Sequence, residues 1–216
     1  MKTACIASIP EREETLKRTV ESLRPQVDRI FVALNNYDRP PEFLSKNEWV
    51  ILDNSMGDAG KFYITDQLEG FIFACDDDLV YPVNYVSVMI QKIRQYQCVV
   101  TMQGSIYPRP VMSFRNPLAK FRCLDDVQYD VKVELGGTGV MAWHSEIIKV
   151  KYDDFKSANM ADIWMSKLCK EKGIPIYCIA HHRSFLKYFH PESTIWDTEK
   201  NKGFIEQTKL LQSFLT

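Results

Sequence analysis

Short apolar runs alternate with amphipathic helical patterns along this chain, and that alternation restricts the possible folds more than any other feature. Four runs in the first half have the length and composition of buried strands: Thr3–Ile9, Arg29–Leu34, Glu48–Asp53 and Gly70–Cys75. Between the first two, Leu16, Val20 and Leu23 recur at helical spacing in a charged background, which predicts a helix over Glu11–Leu23. Alternating strands and helices of this kind favour an α/β sheet with helices on its faces.

The second half continues the pattern after one irregular stretch. Apolar residues at helical spacing predict helices after Pro82, over Ala161–Cys169 and over Phe204–Phe214, and apolar runs predict strands over Gln97–Met102 and Ile174–Ala180. The stretch Gln103–Glu134 has three prolines and no clear period, so it is either a long loop or a small irregular layer. No linker or repeat interrupts the chain, which predicts a single domain over residues 1–216.

Composition excludes several classes of protein. With 27 basic and 28 acidic side chains, the 216-residue chain has a net charge of −1, which excludes a strongly basic nucleic-acid-binding surface overall but not a local basic patch. No apolar run reaches the roughly 18 residues that a membrane helix needs, and the start of the chain is not typical of a signal peptide. The six cysteines lack metal-site spacing and are expected to be reduced core residues. We therefore expect a cytoplasmic protein with no transmembrane segment, although peripheral membrane contact stays possible.

Polar residues follow each of the four predicted strands in the first half. They are Ser8–Arg12, Asn35-Asn36, Asp53–Lys61 and Asp76-Asp77-Asp78. Because ligands bind at the carboxyl ends of strands in open α/β sheets, parallel strands would bring these clusters to one rim. The sequence thus predicts a binding site at this edge of the sheet.

The aspartate triplet is the most informative of these clusters. Three adjacent carboxylates after a buried strand repel one another unless a cation neutralises them, and Mg²⁺ and Mn²⁺ favour carboxylate oxygens. The alternative interpretation is a solvated acidic turn. Lys61 and Arg12 could likewise bind phosphate or lie free on the surface.

Two further positions have two interpretations each. Asp162 begins a predicted helix, where a carboxylate complements the helix dipole or acts as a general base. His181 and His182 follow a predicted strand and could complete a metal site or be merely hydrogen-bonded. The motifs of Rossmann dehydrogenases, P-loop NTPases and α/β-hydrolases are missing from the sequence.

Taken in order, these segments resemble the GT-A glycosyltransferases, close to the family 2 type. The matching segments are Ile6–Arg12, Leu34–Tyr37, Gly57–Phe62, Phe73–Pro82, Gly136–Gly139, Met160–Asp162 and His181. Ala161 stands where the family usually has Glu, and Asn35 where it usually has an acidic residue. The resemblance implies a GT-A fold with a central mixed, mostly parallel sheet. Residues 1–102 would form the nucleotide-sugar-binding half and residues 103–216 the acceptor-binding and lid half.

The resemblance also implies a reaction and a set of roles. The expected activity is metal-dependent, inverting transfer of a sugar from a nucleotide-diphosphate sugar, most simply a UDP-sugar, to a hydroxyl of a glycan or glycolipid. Asp162 would be the catalytic base, and Asp78 and His181 would hold Mn²⁺ or Mg²⁺. The donor would be bound by Pro10, Arg12, Asn35, Asp58, Lys61, Asp76, Asp77, Gly137, Arg183 and Lys187. The segment from His182 to Asp197 would form a lid over the donor.

Three other functions use similar residues. A sugar nucleotidyltransferase would use paired aspartates on the same α/β half and release pyrophosphate. A metal-dependent phosphatase or nuclease could use an aspartate cluster, although strand one ends in Ser-Ile-Pro instead of the usual Asp. A non-catalytic nucleotide-sugar-binding module would bind the donor without transfer or hydrolysis.

Overall fold

A computed structural model describes residues 1–189 and 204–215 of the chain. An eight-stranded sheet forms its centre, with the order β3-β2-β1-β4-β11-β6-β12-β9. The strands are β1 (Lys2–Ser8), β2 (Arg29–Asn35), β3 (Trp49–Leu52), β4 (Phe71–Cys75), β6 (Val99–Thr101), β9 (Val131–Val133), β11 (Val140–His144) and β12 (Ile176–Cys178). Strands β3, β2, β1 and β4 are parallel, and β6 is parallel to β12, whereas β11 and β9 run antiparallel to their neighbours. The mixed, mostly parallel α/β sheet expected from the sequence is confirmed.

Within residues 1–189 and 204–215, four α-helices and four 3₁₀ turns accompany the sheet. They are α1 (Glu13–Leu23), α2 (Tyr85–Tyr96), α3 (Ala161–Glu171) and α4 (Ile205–Gln212), with η1 (Pro10–Arg12), η2 (Gly57–Phe62), η3 (Thr65–Gln67) and η4 (Tyr152–Asp154). Helix α1 begins two residues later than predicted because Pro10 starts a 3₁₀ turn first. None of these helices combines the length and apolar character needed to cross a lipid bilayer.

The core has one layer on each face of the sheet. Helices α1 and α2 bury residues such as Leu16, Val20 and Met89 against one face. On the other face, η2 and α3 pack through residues such as Phe62 and Met165. The ring of Phe62 stacks on that of Phe155, with centroids 4.3 Å apart. Two covered faces explain why the central strands are nearly all apolar.

A partly buried carboxylate links helix α2 to the second half of the sheet. Asp130 accepts a hydrogen bond from the Tyr96 hydroxyl at 2.6 Å and one from the Ala180 N–H at 2.7 Å, and it pairs with the Lys92 ammonium. Burial raises the pKa of Asp130, but the bonds from Lys92, Tyr96 and Ala180 outweigh it, so the net pKa is lowered. The link therefore depends on the ionised carboxylate.

The structure differs from the sequence predictions in three places. Strand β11, which no prediction included, lies between β4 and β6. The irregular stretch after Thr101 contains short strands: β7 (Gly104–Ile106), β8 (Ala119–Phe121) and β10 (Leu135–Gly136) form a separate three-stranded sheet in the order β10-β7-β8. Two further short strands, β5 (Leu79–Val80) and β13 (Lys187–Tyr188), pair with each other. These strands of two to five residues are too short to show a period in the sequence.

Candidate functional site

A cavity of about 700 Å³ lies at the carboxyl ends of the parallel strands. Its lining includes Ser8 at the end of β1 and Ile9 after it, Asn35 at the end of β2, residues 76–78 after β4, and residues of the η2 turn. Thr138 and Gly139, in the loop before β11, line the cavity as well. The predicted convergence of the strand ends on one rim therefore agrees with the geometry, and the volume is in the range of small-molecule sites.

Asp76 and Lys61 form an ion pair in this cavity. The Lys61 Nζ lies 2.5 Å from Asp76 Oδ1, and the lysine side chain is only 2 % exposed while that of Asp76 is 46 % exposed. Burial lowers the pKa of Lys61, but the nearby carboxylates of Asp76 and Asp58 raise it by more than burial lowers it. The net pKa of Lys61 is therefore well above its usual value. Lys61 is therefore a charged group beneath the carboxylates and not a lysine extended into solvent.

Asp77 points into the protein and not into open space. Its Oδ2 accepts a hydrogen bond from the Ser8 hydroxyl at 2.6 Å, and its Oδ1 lies 2.8 Å from Arg12 Nη1. The side chain is 4 % exposed, and burial raises its pKa despite the neighbouring guanidinium. Asp77 thus fastens the carboxyl end of β4 to that of β1.

Asp78 completes the triplet, and its side chain is more exposed than that of Asp77 but less exposed than that of Asp76. Arg12 Nη1 is 3.5 Å from its Oδ2. Burial, followed by repulsion from Asp76 and Asp77, raises the pKa of Asp78 to about 7. The three carboxylates are therefore under-neutralised by the residues around them.

Asp58 on η2 is the fourth carboxylate of the cavity. Its Oδ2 accepts a hydrogen bond from the Ala161 N–H at 3.3 Å, while its buried Oδ1 has no hydrogen-bond partner within the described residues. Burial raises the pKa of Asp58 to about 7, with Lys61 acting in the opposite direction. A buried carboxylate oxygen without a partner points to a ligand or solvent group in the cavity.

Asp162, in the first turn of α3, is the fifth carboxylate. Its Oδ1 accepts two hydrogen bonds from Thr138, one from the backbone N–H at 2.6 Å and one from the hydroxyl at 2.7 Å. Burial raises the pKa of Asp162 while both Thr138 bonds lower it, and the net pKa is raised. The side chain is thus held in one orientation with its second oxygen uncommitted to Thr138.

The side chains of Asn35 and Asn159 hold the η2 turn that carries Asp58 and Lys61 in place. The Asn35 side-chain amide donates a hydrogen bond to the Gly57 carbonyl at 2.9 Å. Gly57 has a φ of +54°, and a Cβ there would lie 2.0 Å from Asn159 Oδ1. Asn35 therefore positions this turn, so the amide expected to meet a nucleotide base is already engaged through its nitrogen.

Several predicted site residues lie outside this cavity. Both ring nitrogens of His181 face backbone carbonyls, with Nδ1 2.7 Å from the Ile179 oxygen and Nε2 3.1 Å from that of Arg122. Arg183 is paired with Asp126 on the surface. The other two are Lys187, exposed on β13, and Pro10, exposed on η1. The structure thus does not bring His181 to Asp78. Of the predicted lid, residues 190–197 lie outside the described part of the chain.

Other cavity residues were not predicted. Thr138, which orients Asp162, follows Gly136-Gly137 in a loop that the sequence marked only by its glycines. Phe114, Cys123 and Phe204 also line the cavity, and they come from the irregular stretch and the last helix, where no local pattern indicated a site.

A second cavity of about 560 Å³ adjoins the first, and the two share Gln103, Phe114 and Asp162. Gly137, predicted to bind the donor, lies in this second cavity. Its N–H bonds the Gln103 carbonyl at 2.8 Å, and a Cβ on Gly137 would meet the Gln103 side chain at 2.9 Å. Asp162 therefore lines both of these adjoining cavities.

The residues around the first cavity carry an excess of negative charge. Its described lining holds five carboxylates and two cations, Arg12 and Lys61. In the part of the chain that is described, no three His, Cys, Asp or Glu side chains are grouped to hold a metal by themselves. Mg²⁺, however, is often bound by one or two carboxylates together with substrate phosphates. Asp76 and Asp78 fit that kind of shared site.

Comparison with known proteins assigns no family. No protein-family model matches the chain, and no curated protein matches it. Among solved structures, the chain is similar to the "Crystal Structure of A197 from STIV", at 17 % sequence identity and a TM-score of 0.46, over 88 % of this chain and 86 % of that chain. At this level of similarity the function has to be argued from the cavity itself.

Proposed function

We propose that this protein is a metal-dependent, inverting glycosyltransferase that uses a nucleotide-diphosphate sugar, in the first instance a UDP-sugar, as its donor. The observation that carries the proposal is the first cavity: a strand-end site with a carboxylate excess that adjoins a second cavity, with Asp162 lining both. A donor space and an acceptor space that meet at a carboxylate are what group transfer between two bound substrates requires.

The charge of the cavity supports the metal requirement. A diphosphate is an anion, and an anion enters a cavity of five carboxylates and two cations favourably only with a counter-cation. Asp78 and Asp76 would hold Mn²⁺ or Mg²⁺ together with the diphosphate, and the ion would supply Lewis-acid stabilisation of the departing phosphate oxygen. His181, expected from the resemblance to complete this site, is engaged elsewhere in the structure.

Asp162 is proposed as the general base. An acceptor hydroxyl beside its uncommitted oxygen would give its proton to the carboxylate as the hydroxyl oxygen attacks the anomeric carbon. The bond from that carbon to the diphosphate breaks at the same time, with inversion. The two Thr138 hydrogen bonds orient the carboxylate, and the raised pKa of Asp162 makes it a stronger base.

The two cations would act through the carboxylates. Lys61 holds Asp76 in place, and Arg12 holds Asp77 and approaches Asp78. Both would also lower the local negative potential that the diphosphate meets. The acceptor would be a hydroxyl of a glycan or glycolipid, and the protein would act in the cytoplasm.

The test is calorimetric titration of UDP and of GDP, each with Mn²⁺ and with EDTA. We expect UDP to bind only with metal, and Asp78→Asn to abolish the metal-dependent part of the affinity. The matched control is Asp126→Asn, which removes one carboxylate charge from a residue that pairs with Arg183 and does not line the cavity. Metal-independent binding would refute the metal site, and no binding of either nucleotide would refute the donor class.

The reaction products separate the competing activities. Incubation with a UDP-sugar and an acceptor should release UDP in step with glycoside formation. A nucleotidyltransferase would instead release pyrophosphate from a nucleoside triphosphate and a sugar phosphate. Binding without turnover of either substrate pair would identify a non-catalytic module.

A further inference from the structure

Residues of the three-stranded sheet β10-β7-β8 line the second cavity. Strand pairing places Leu135 beside Ser105 and Ser105 beside Lys120, and all three residues line the cavity. Arg122 follows Lys120 by two residues, the spacing that keeps side chains on one face of an extended chain, and it lines the cavity too. Lys120 on β8 and Arg122 just beyond it are exposed residues that both line this open cavity, so one side of the three-stranded sheet presents two cations to it.

The charge of this cavity is opposite to that of the first. Its described lining holds three cations, Arg115, Lys120 and Arg122, and one carboxylate, Asp162, which lies at the shared boundary. Burial and the charge of Arg122 lower the pKa of Lys120, the effect expected where cations crowd together. The cavity thus offers concentrated positive charge beside the proposed base.

The neighbouring arginine shows that this positive charge is not a general feature of the surface. Arg109, in the same segment, is neutralised by Glu134, with Nη2 2.5 Å from Oε1, and it does not line the cavity. Arg122 makes no side-chain ion pair with any residue in the described ranges. The guanidinium of Arg115 lies over the Phe204 ring, 5.8 Å from the ring centroid. Two guanidiniums are thus available to an anion that enters the cavity.

We infer that the second cavity binds an anionic group of the acceptor, a phosphoryl or carboxylate group, through Lys120, Arg122 and Arg115, and so presents the acceptor hydroxyl to Asp162. This inference rests on the proposed function for the identity of the acceptor, but the anion site itself does not. Leu135, Pro117 and Tyr107 add apolar surface to the same cavity, which suits the carbon skeleton attached to the anion. The donor space takes its anion through a metal, and the acceptor space takes its anion directly through basic side chains.

The test is titration of the isotope-labelled protein, followed by NMR, with inorganic phosphate, glucose 6-phosphate, dodecyl phosphate and, as the neutral probe, glucose. The amide signals of Gly104 and Ser105 report the second cavity, and those of Ile9 and Gly57 report the first. We expect saturable shifts of the Gly104 and Ser105 signals with the anions and none with glucose. Stronger binding of dodecyl phosphate than of glucose 6-phosphate would identify a lipid acceptor, and the reverse a sugar phosphate.

The variants are Lys120→Gln with Arg122→Gln, and the matched control is Lys46→Gln with Lys132→Gln, which removes the same charge from exposed positions outside both cavities. The first pair should weaken anion binding at least tenfold, because each loses a charge-assisted contact, and the control should change it less than twofold. Equal weakening in both pairs would overturn the inference.

The two proposals can fail separately. Anion-induced shifts confined to Ile9 and Gly57, and abolished by UDP with Mn²⁺, would place the anion in the first cavity and overturn the inference alone. If UDP does not bind but the anions still shift Gly104 and Ser105, the proposed function fails, and with it the assignment of the anion to an acceptor. Saturable shifts of Gly104 and Ser105 in the presence of bound UDP would support both.

Discussion

Lys61 provides the sharpest quantitative prediction, since it is a buried cation among carboxylates. The perturbation is a double-mutant cycle of Lys61→Met, Asp76→Asn and both changes together. Two unit charges about 4 Å apart interact by roughly 4 kcal/mol at an effective dielectric constant of about 20. Because the Asp76 side chain is 46 % exposed, solvent screens the pair, and we reduce this to a coupling of about 2 kcal/mol.

The single variants should differ in their effect. Lys61→Met should lower the free energy of unfolding by about 3 kcal/mol, near the low end for breaking a buried ion pair, because Asp58 and Asp162 lose their counter-charge as well. Asp76→Asn should have a smaller effect, since Lys61 keeps the other two carboxylates. The double variant should be less destabilised than the sum of the single variants by the coupling energy.

The measurement is urea unfolding at pH 7.5 without divalent ions. A control cycle uses Lys149→Met and Glu69→Gln, a pair with Nζ–Oε1 at 2.6 Å whose side chains are 44 % and 74 % exposed. That coupling should be below about 0.5 kcal/mol. A Lys61–Asp76 coupling no larger than the control would show that burial of the lysine does not strengthen the pair, and the electrostatic argument for the cavity would fall.

Three further predictions concern catalysis, acid stability and the metal site. Asp162→Asn should slow sugar transfer by about 10²–10⁴-fold at unchanged UDP affinity, because Asn keeps the oxygen that accepts the Thr138 hydrogen bonds but cannot take up a proton as a general base. Initial rates of transfer at saturating donor would measure this loss, and a wild-type rate would exclude Asp162 as the base. Asp130→Asn should lower the free energy of unfolding by about 1–2 kcal/mol at pH 7. Since the pKa of Asp130 is lowered in the fold, its carboxylate contributes stability above the unfolded-state pKa of about 3.9, and this contribution is lost as the pH falls through the folded-state pKa. The difference between the wild type and the variant should therefore be smaller at pH 3 than at pH 7, and thermal melts at the two pH values would check this. Gly139→Ala places a Cβ 1.9 Å from Asp76 Oδ2, so the Asp76 carboxylate must move. The metal-dependent affinity for UDP, measured by calorimetry, should therefore fall at least tenfold. An unchanged affinity would show that Asp76 does not belong to the metal site.

The parts of the fold that could be predicted are those with a period of their own. Helix α1 follows from the spacing of Leu16, Val20 and Leu23, and strand β4 from its uninterrupted apolar run. The meeting of Ser8, Asn35 and Asp76 at one rim also followed, because parallel strands put their carboxyl ends on the same edge. Local periodicity reports which face of a segment is buried, and this was enough for the first half of the sheet.

The partners of the site residues came only from the tertiary structure. Strand β11 enters the sheet beside β4 from 65 residues further along the chain, with Val140 opposite Cys75. That insertion brings Thr138 to Asp162, and it places Gly139 against Asp76. No local pattern encodes such contacts, since they depend on which distant segment fills the space next to a strand.

The same dependence on contacts between distant segments explains why some of the predicted charged residues line the cavities and others are engaged elsewhere. Sequence chemistry alone identified Asp78, Lys61 and His181 as groups able to bind a metal or a phosphate. Packing then buried Lys61 under Asp76 and turned both ring nitrogens of His181 to backbone carbonyls, while Lys120 came to line a second cavity. The residue type sets what a side chain can bind, but its burial and its nearest charges, which the whole fold determines, decide what it does bind.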